Sequence, residues 1–301
     1  MALSFIDQKS TIINQVFRWY SRSARRLPWR GEKDPYRILV SEIMLQQTQV
    51  SRVLQQYPRF LKRFPDFTAL ARARTSSIIR AWKGMGYNNR AVRLQRLARN
   101  VLGEYNGKLP TTIEDLLSLP GIGRYTAHAV ACLAFNRHLP VVDTNVRRVL
   151  SRLFLPHAKR METWELAEKV LPKRGASRWN QALMDLGATI CTAVNPKCRA
   201  CPVQKKCPSA FKVSNSRRVS KGTEPSRDGL PNRIYRGRIV DVLRHSKPER
   251  HVPISRLGRQ IKESYSRHDE DWLKGLMKGL EKDGLVALKK TKAGFAASLP
   301  R

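Results

Sequence analysis

Apolar residues recur along this chain at helical spacing almost from its start. Ile6, Ile13, Val16, Phe17 and Tyr20 share one face, which predicts a helix over residues 6–22. After Pro35-Tyr36 a second pattern puts Leu39, Ile43, Val50, Val53 and Leu54 on one broad face. Comparable patterns predict helices near 67–83, 90–105, 112–118, 124–134, 144–154, 163–171 and 177–190. Strand-like alternation is nearly absent before residue 280. The expected class is all-α.

Residues 212–232 break the pattern. They are polar, basic and short of apolar anchors, and they read as a linker. Beyond them, 234–245 and 254–265 predict two amphipathic helices. Asp271 to Asp283 predicts a third, with Trp272, Leu276 and Leu280 four apart and a stop at Gly284. The run from Leu285 to Leu299 then predicts a two-stranded hairpin around a glycine-bearing turn. Three helices and a hairpin form a winged-helix-like pattern. The expected organisation is therefore a helical domain over 1–211, a linker over 212–232 and a small domain over 233–301.

Charge narrows the partner. Lys and Arg number 58 against 23 Asp and Glu, for a formal net charge of +35. The excess is spread along the whole chain, so the expected ligand is a polyanion rather than the target of one basic tail. A ribosomal-type RNA binder would share this composition. No run approaches the ~18 apolar residues that a spanning helix needs, which excludes a helical membrane span. The first residues, Met-Ala-Leu-Ser-Phe, do not read as a secretion signal, so a cytoplasmic, nucleoid-associated protein is expected.

Cys191, Cys198, Cys201 and Cys207 stand in one short loop after a predicted helix. Four thiolates in one loop suit a single metal centre, and a reducing compartment argues against disulfides. Structural zinc is the rival, although four-cysteine zinc sites usually come as two separated C-x2-C pairs. The fifth cysteine, Cys132, lies in the apolar run Ala129–Ala134 and reads as a small core residue.

Three further segments carry chemistry. Leu119-Pro-Gly-Ile-Gly-Arg-Tyr125 ends one helix and starts another through Gly121 and Gly123. Its backbone N–H groups at the new helix start suit a phosphate, with Arg124 beside them. Asp143, in Val142-Asp143-Thr-Asn145, precedes a helix and is most simply its N-cap. A fixed carboxylate there would also stabilise the cationic sugar of a breaking N-glycosidic bond. Glu42 sits in Ser41-Glu-Ile-Met-Leu-Gln-Gln-Thr-Gln49 among apolar neighbours. Burial there would raise its pKa and let it hold a proton at neutral pH.

Taken together, Cys191–Cys207, the Pro-Gly-Ile-Gly turn, Asp143 and S-E-I-M-L-Q-Q-T-Q-V resemble the MutY-type adenine glycosylases. These belong to the helix-hairpin-helix, endonuclease III-like superfamily. The resemblance runs over roughly residues 12–210. It implies a two-lobed helix-hairpin-helix glycosylase fold with a 4Fe-4S cluster on the four cysteines. It implies Glu42 as the acid that protonates departing adenine and Asp143 as the carboxylate facing the sugar, with Asn145 also among the catalytic residues. In Leu27-Pro-Trp-Arg30 it makes Leu27 and Trp29 walls of the base pocket, and in Trp179-Asn-Gln181 it sets Gln181 on the adenine edge. Tyr87, in Gly84-Met-Gly-Tyr87, would stack into the duplex, and Gln47 would fill the hole left by the flipped base.

Tyr125 stands where endonuclease III-like enzymes carry a Schiff-base lysine, which implies a glycosylase that leaves the strand uncut. The implied partner is double-stranded DNA with a mismatch or lesion, bound by a monomer. The implied substrate is adenine opposite 8-oxoguanine or guanine. A thymine or uracil mismatch glycosylase is the alternative, though such relatives lack L-Q-Q-T after the glutamate. A non-catalytic DNA-binding regulator is another. The tail departs from the family pattern, because typical members carry a larger, Nudix-related C-terminal domain that reads 8-oxoguanine.

Overall fold

Helices α1 (Leu3–Ser23), α8 (Arg124–Leu133), α9 (Thr144–Leu153), α10 (Thr163–Val170) and α11 (Ala176–Thr189) pack around one apolar core. In this computed structural model residues 3–154, 161–213, 224–247, 250–292 and 294–301 are described. The chain divides into two compact units. The first comprises Met1–Leu39, Thr111–Ser118 and Ile122–Ser220. Its core joins Ile12 and Val16 of α1 to Cys132 of α8, Val149 and Leu150 of α9, and Trp179 and Leu183 of α11. Cys132 is fully buried, as its apolar run requires. Helices α9 and α11 approach closely because Gly187 has no side chain. A Cβ there would lie 2.6 Å from that of Asn145.

The second unit comprises Val40–Pro110, Leu119–Gly121 and Lys221–Arg301. It contains α3 (Val50–Arg63), α4 (Phe67–Arg72), α5 (Thr75–Ala81) and α6 (Asn89–Glu104). Helix α2 (Pro35–Leu45) enters it, and α7 (Ile113–Ser118) belongs to the first unit.

The C-terminal part adds α12 (Asn232–His245), β3 (Val252–Pro253), α13 (Ile254–Ile261), α14 (Glu270–Lys282), β4 (Ala287–Thr291) and β5 (Gly294–Ser298). The sheet order is β3-β5-β4, all antiparallel, with Leu288 opposite Ala297 and Val252 opposite Ala297 on the other side. Helix, strand, two helices and a hairpin in this order make a winged helix. Its core includes Ile79 of α5 and Val92 of α6, so the winged helix packs on those helices through shared apolar contacts.

Four sequence expectations change. The long helix expected after Pro35 is two helices, α2 and α3, separated by residues 46–49. Residues 67–83 also form two helices, because Ala73 and Arg74 are extended. Buried Gln95 satisfies that break, donating to Ala73 O at 2.7 Å and accepting from Thr75 Oγ1 at 2.8 Å. The helix expected over 254–265 stops at Ile261, and the Tyr265 ring folds back over Gly258. Within the expected linker, β1 (Ser226–Arg227) and β2 (Leu230–Pro231) form a small hairpin. Asp228 and Gly229 turn it with φ of 49° and 74°, the Asp-Gly signature of a tight hairpin. Residues 214–223 of that segment lie outside the described residues.

Candidate active site

Asp143 is the N-cap of α9, and its side chain does two things at once. Oδ1 accepts from Val146 N at 2.6 Å, and Oδ2 accepts from Asn145 Nδ2 at 2.8 Å. Both oxygens accept at a helix N-terminus, where the dipole favours an anion. Asn145 is itself held, since its Oδ1 accepts from Arg148 Nη2 at 2.8 Å. The same guanidinium donates to Gly187 O at 2.6 Å and to Cys191 O at 2.7 Å. A continuous chain of hydrogen bonds therefore links Asp143 to the first cysteine of the cysteine loop. Arg152 adds bonds to Thr192 O and Cys191 Sγ.

A second constellation lies in the same unit. Gln181 is half-buried, and its Oε1 accepts from Tyr20 Oη at 3.1 Å. One turn further along α11, Asp185 is fully buried. It accepts from Arg25 N at 3.0 Å, from Arg25 Nε at 2.8 Å and from Arg30 Nη2 at 2.9 Å. These bonds pin the non-helical segment between α1 and α2 that carries Leu27 and Trp29. Leu27 is half-buried and Trp29 is buried. Arg22, Arg25, Arg26 and Arg30 line a basic hollow beside Leu27.

The helix-hairpin-helix turn uses its glycines differently. Gly121 has a φ of +88°, and a Cβ on it would press Arg93, so the fold itself needs glycine there. Gly123 caps α8 in extended backbone, and a Cβ on it would meet nothing within 4 Å. The space beside it at the α8 N-terminus is open. Arg124 is exposed, with its guanidinium 4.1 Å from the Trp164 ring centroid. Tyr125, next in sequence, is half-buried against the first unit's core.

Glu42 belongs to the second unit. Nearly every residue from Tyr36 to Met44 is buried, so α2 has almost no solvent face, and Glu42 is 5% exposed. After Glu42 in sequence, Gln47 and Tyr87 both adopt left-handed backbone, with φ of 53° and 41°. Such strain costs on the order of 1 kcal/mol or more per residue, and it collects at functional sites. Both side chains are exposed, Tyr87 by 54%. The Gln47 and Tyr87 turns are held side by side, with Thr48 Oγ1 donating to Met85 O at 3.0 Å.

The four cysteines of the loop make no disulfide and line one cavity with Arg152, Ile190 and Pro196. Burial, reinforced by the neighbouring thiols, pushes Cys201 up to about 11. Among the described residues no three His, Cys, Asp or Glu stand close enough to hold a single metal ion. Four cysteine sulfurs around one cavity are the donor chemistry that a thiolate-held metal group takes.

Residues 40–173 match the family described as "HhH-GPD superfamily base excision DNA repair protein". An adenine DNA glycosylase of Mycobacterium tuberculosis is 43% identical over 247 residues, covering 76% of this chain and 77% of its own. The chain belongs to the adenine DNA glycosylase family. The corresponding enzyme of Mycolicibacterium smegmatis is 40% identical over 242 residues, covering 77% of this chain and 80% of its own. Among solved structures, a thermostable thymine-DNA glycosylase superposes with a TM-score of 0.66 at 33% identity, covering 70% of this chain and all of that one. The stretch that matches the family model starts two residues before Glu42 and takes in Gln47, Tyr87, the glycine turn, Tyr125, Asp143 and Asn145.

The structure brings Asp143 and Asn145 together, and sets Gln181 one turn from the carboxylate that anchors the Leu27–Trp29 segment. Glu42, Gln47 and Tyr87 belong to the other unit. Sequence reasoning missed Tyr20, Arg25, Arg30, Asp185, Arg148 and Arg90. Asp185 carried a signal, as a lone acid in the helical sequence Ala176–Thr189. The arginines carried none in a chain with so many.

Proposed function

We propose that this protein is a monofunctional DNA glycosylase of base excision repair that hydrolyses the N-glycosidic bond of adenine mispaired with 8-oxoguanine or guanine. Family membership supports the reaction class. The observation that carries the mechanism is the fixing of Asp143, an acceptor at both oxygens, at the N-terminus of α9. A carboxylate held there in advance meets the oxocarbenium-like sugar without reorganisation. Glu42, enclosed by α2 and its surroundings, is the proton donor to the leaving adenine, which departs poorly as an anion. Gln181, oriented by Tyr20, bonds the adenine edge between Leu27 and Trp29. Gln47 and Tyr87 occupy the duplex where the base has left, and Gly121, Gly123 and Arg124 grip the backbone.

With Tyr125 in the lysine position, no Schiff base forms there, and the product is an intact strand with an abasic site. Cys191, Cys198, Cys201 and Cys207 would hold a 4Fe-4S cluster, and the loop it would fix is tied through Arg148 to the Asn145–Asp143 pair. The protein is expected to act as a monomer on double-stranded DNA in the cytoplasm, associated with the nucleoid.

The test is glycosylase activity on four duplexes, with A:8-oxoG, A:G, T:G or U:G at one site. Excision confined to the adenine duplexes is expected. Excision of thymine or uracil from the G pairs instead would favour the mismatch alternative, and no excision at all would leave a binding protein. Iron and sulfide analysis, with visible absorbance, tests the cluster; zinc without iron would overturn that part.

A further inference from the structure

We propose that Arg90 and Arg244 together hold the Tyr87 turn in its left-handed conformation, so that the C-terminal winged helix is a working part of base extrusion. The proposal rests on reading Tyr87 and Gln47 as wedges into the duplex.

Arg90 works from the inside. It is buried at the start of α6, and its acceptors are backbone carbonyls and one hydroxyl. Nη1 donates to Ile43 O at 2.8 Å, to Met44 O at 3.0 Å and to Gln46 O. Nη2 donates to Thr48 Oγ1 at 2.8 Å, Met85 O at 3.0 Å and Gly86 O at 3.1 Å, while Nε reaches Tyr87 O at 3.3 Å. One planar fork thus serves both strained turns, the one carrying Gln47 and the one carrying Tyr87. A lysine would offer its donors from a single point and could not span both. The guanidinium also lies 5.8 Å from the Tyr87 ring centroid, under the wedge itself.

Arg244 works from the outside and comes from α12 of the winged helix. Its side chain is only 5% exposed. Nε donates to Ile79 O at 2.9 Å, and Nη2 donates to Asn88 Oδ1 at 2.7 Å. Asn88 immediately follows Tyr87. It precedes α6, yet its side chain makes no capping bond, so it serves Arg244 instead. Arg80 donates to Ser246 O and Lys83 meets His245, which tie the same helix end to α5. The Tyr87 turn is therefore fixed on one side by its own lobe and on the other by a domain distant in sequence. A strained wedge keeps its shape only if its surroundings over-determine it, and these two cations do so.

The experiment compares wild type, Asn88→Ala, Arg244→Met and Arg90→Lys. Asn88→Ala removes only the outer bond and is expected to fold normally. One readout is 2-aminopurine fluorescence from the target position of a bound duplex, which reports unstacking whether or not adenine is excised. The expected result is a fall in that signal of about 10-fold for Asn88→Ala, the scale of one hydrogen bond to a charged group. Arg90→Lys should lose more, and affinity for fully paired duplex should stay within about 2-fold.

The second readout repeats the measurement with the target opposite an abasic site, where extrusion costs less. There the variants should recover towards wild type. An unstacking signal in Asn88→Ala and Arg244→Met equal to wild type overturns the proposal. So does a defect of equal size on paired and unpaired targets, which would mark a general loss of structure. Loss of adenine excision by the wild type would instead count against the proposed reaction and leave the unstacking comparison intact.

Discussion

Gly187→Ala sets two effects against each other, and the outcome depends on which one the structure makes larger. The added Cβ would sit 2.6 Å from Asn145 Cβ, 3.0 Å from Asn145 O and 3.1 Å from its carbonyl carbon. Two of those atoms are backbone, so no side-chain rotation relieves the clash, and α9 must move by several tenths of an ångström. Overpacking of this kind costs about 1–3 kcal/mol. Replacing glycine by alanine inside a helix returns about 1 kcal/mol. The net destabilisation is thus on the order of 1 kcal/mol, a melting shift of a few degrees.

Activity has no such compensation. The displaced residue is Asn145, which holds Asp143 Oδ2 at 2.8 Å. A misplacement near 1 Å can cost about 100-fold in rate, so a loss of roughly 10- to 100-fold in single-turnover excision is expected. Thermal denaturation and single-turnover kinetics on one protein preparation make the comparison. A variant that melts within a few degrees of wild type and excises adenine within about 3-fold of wild type would refute the argued coupling of α11 to Asp143.

Other perturbations give separate outcomes. Asp185→Ala leaves Arg25 and Arg30 without their buried carboxylate and should destabilise the first unit by about 3–5 kcal/mol, read from urea unfolding. Tyr125→Lys supplies an amine at the helix-hairpin-helix and should raise borohydride trapping on DNA above the wild-type background; wild type itself trapping strongly would contradict the uncut-strand product. Burial holds His128 below its ordinary value, while its Nδ1 bonds Pro140 O at 2.9 Å. Between the folded and unfolded values the unfolded chain binds the extra proton. Stability should therefore be complete above about pH 6.5 and fall as pH drops through the folded value. Urea midpoints from pH 5 to 8 should show that slope in wild type and lose it in His128→Asn.

Helices were legible wherever apolar residues recurred without interruption, as in α6, α8, α9 and α11. Their interruptions were not. Residues 46–49 and 73–74 carry no proline or glycine, and the break at 73–74 is sustained by Gln95, a residue 22 positions beyond Ala73. Strand β3 has two residues, too few for any alternation. The site divides in the same way. Asp143 before its helix and the Pro-Gly-Ile-Gly turn are local patterns, so sequence exposed them. The Asn145–Arg148–Cys191 chain and the Asp185 anchor join segments far apart in sequence, and only packing reveals such partners. The left-handed backbone of Gln47 and Tyr87 was also hidden, since neither residue type favours that conformation.

Single-turnover excision of adenine from an A:8-oxoG duplex by wild type, Glu42→Gln and Asp143→Asn bears most directly on the proposed chemistry. Glu42→Gln keeps the shape of a buried side chain without a full proton to give. Asp143→Asn keeps the position at the α9 N-terminus without the charge. Each is expected to bind the mismatched duplex as wild type does and to lose about 100- to 10,000-fold in rate, the usual value of such groups. Excision near the wild-type rate in either variant would contradict the assigned roles.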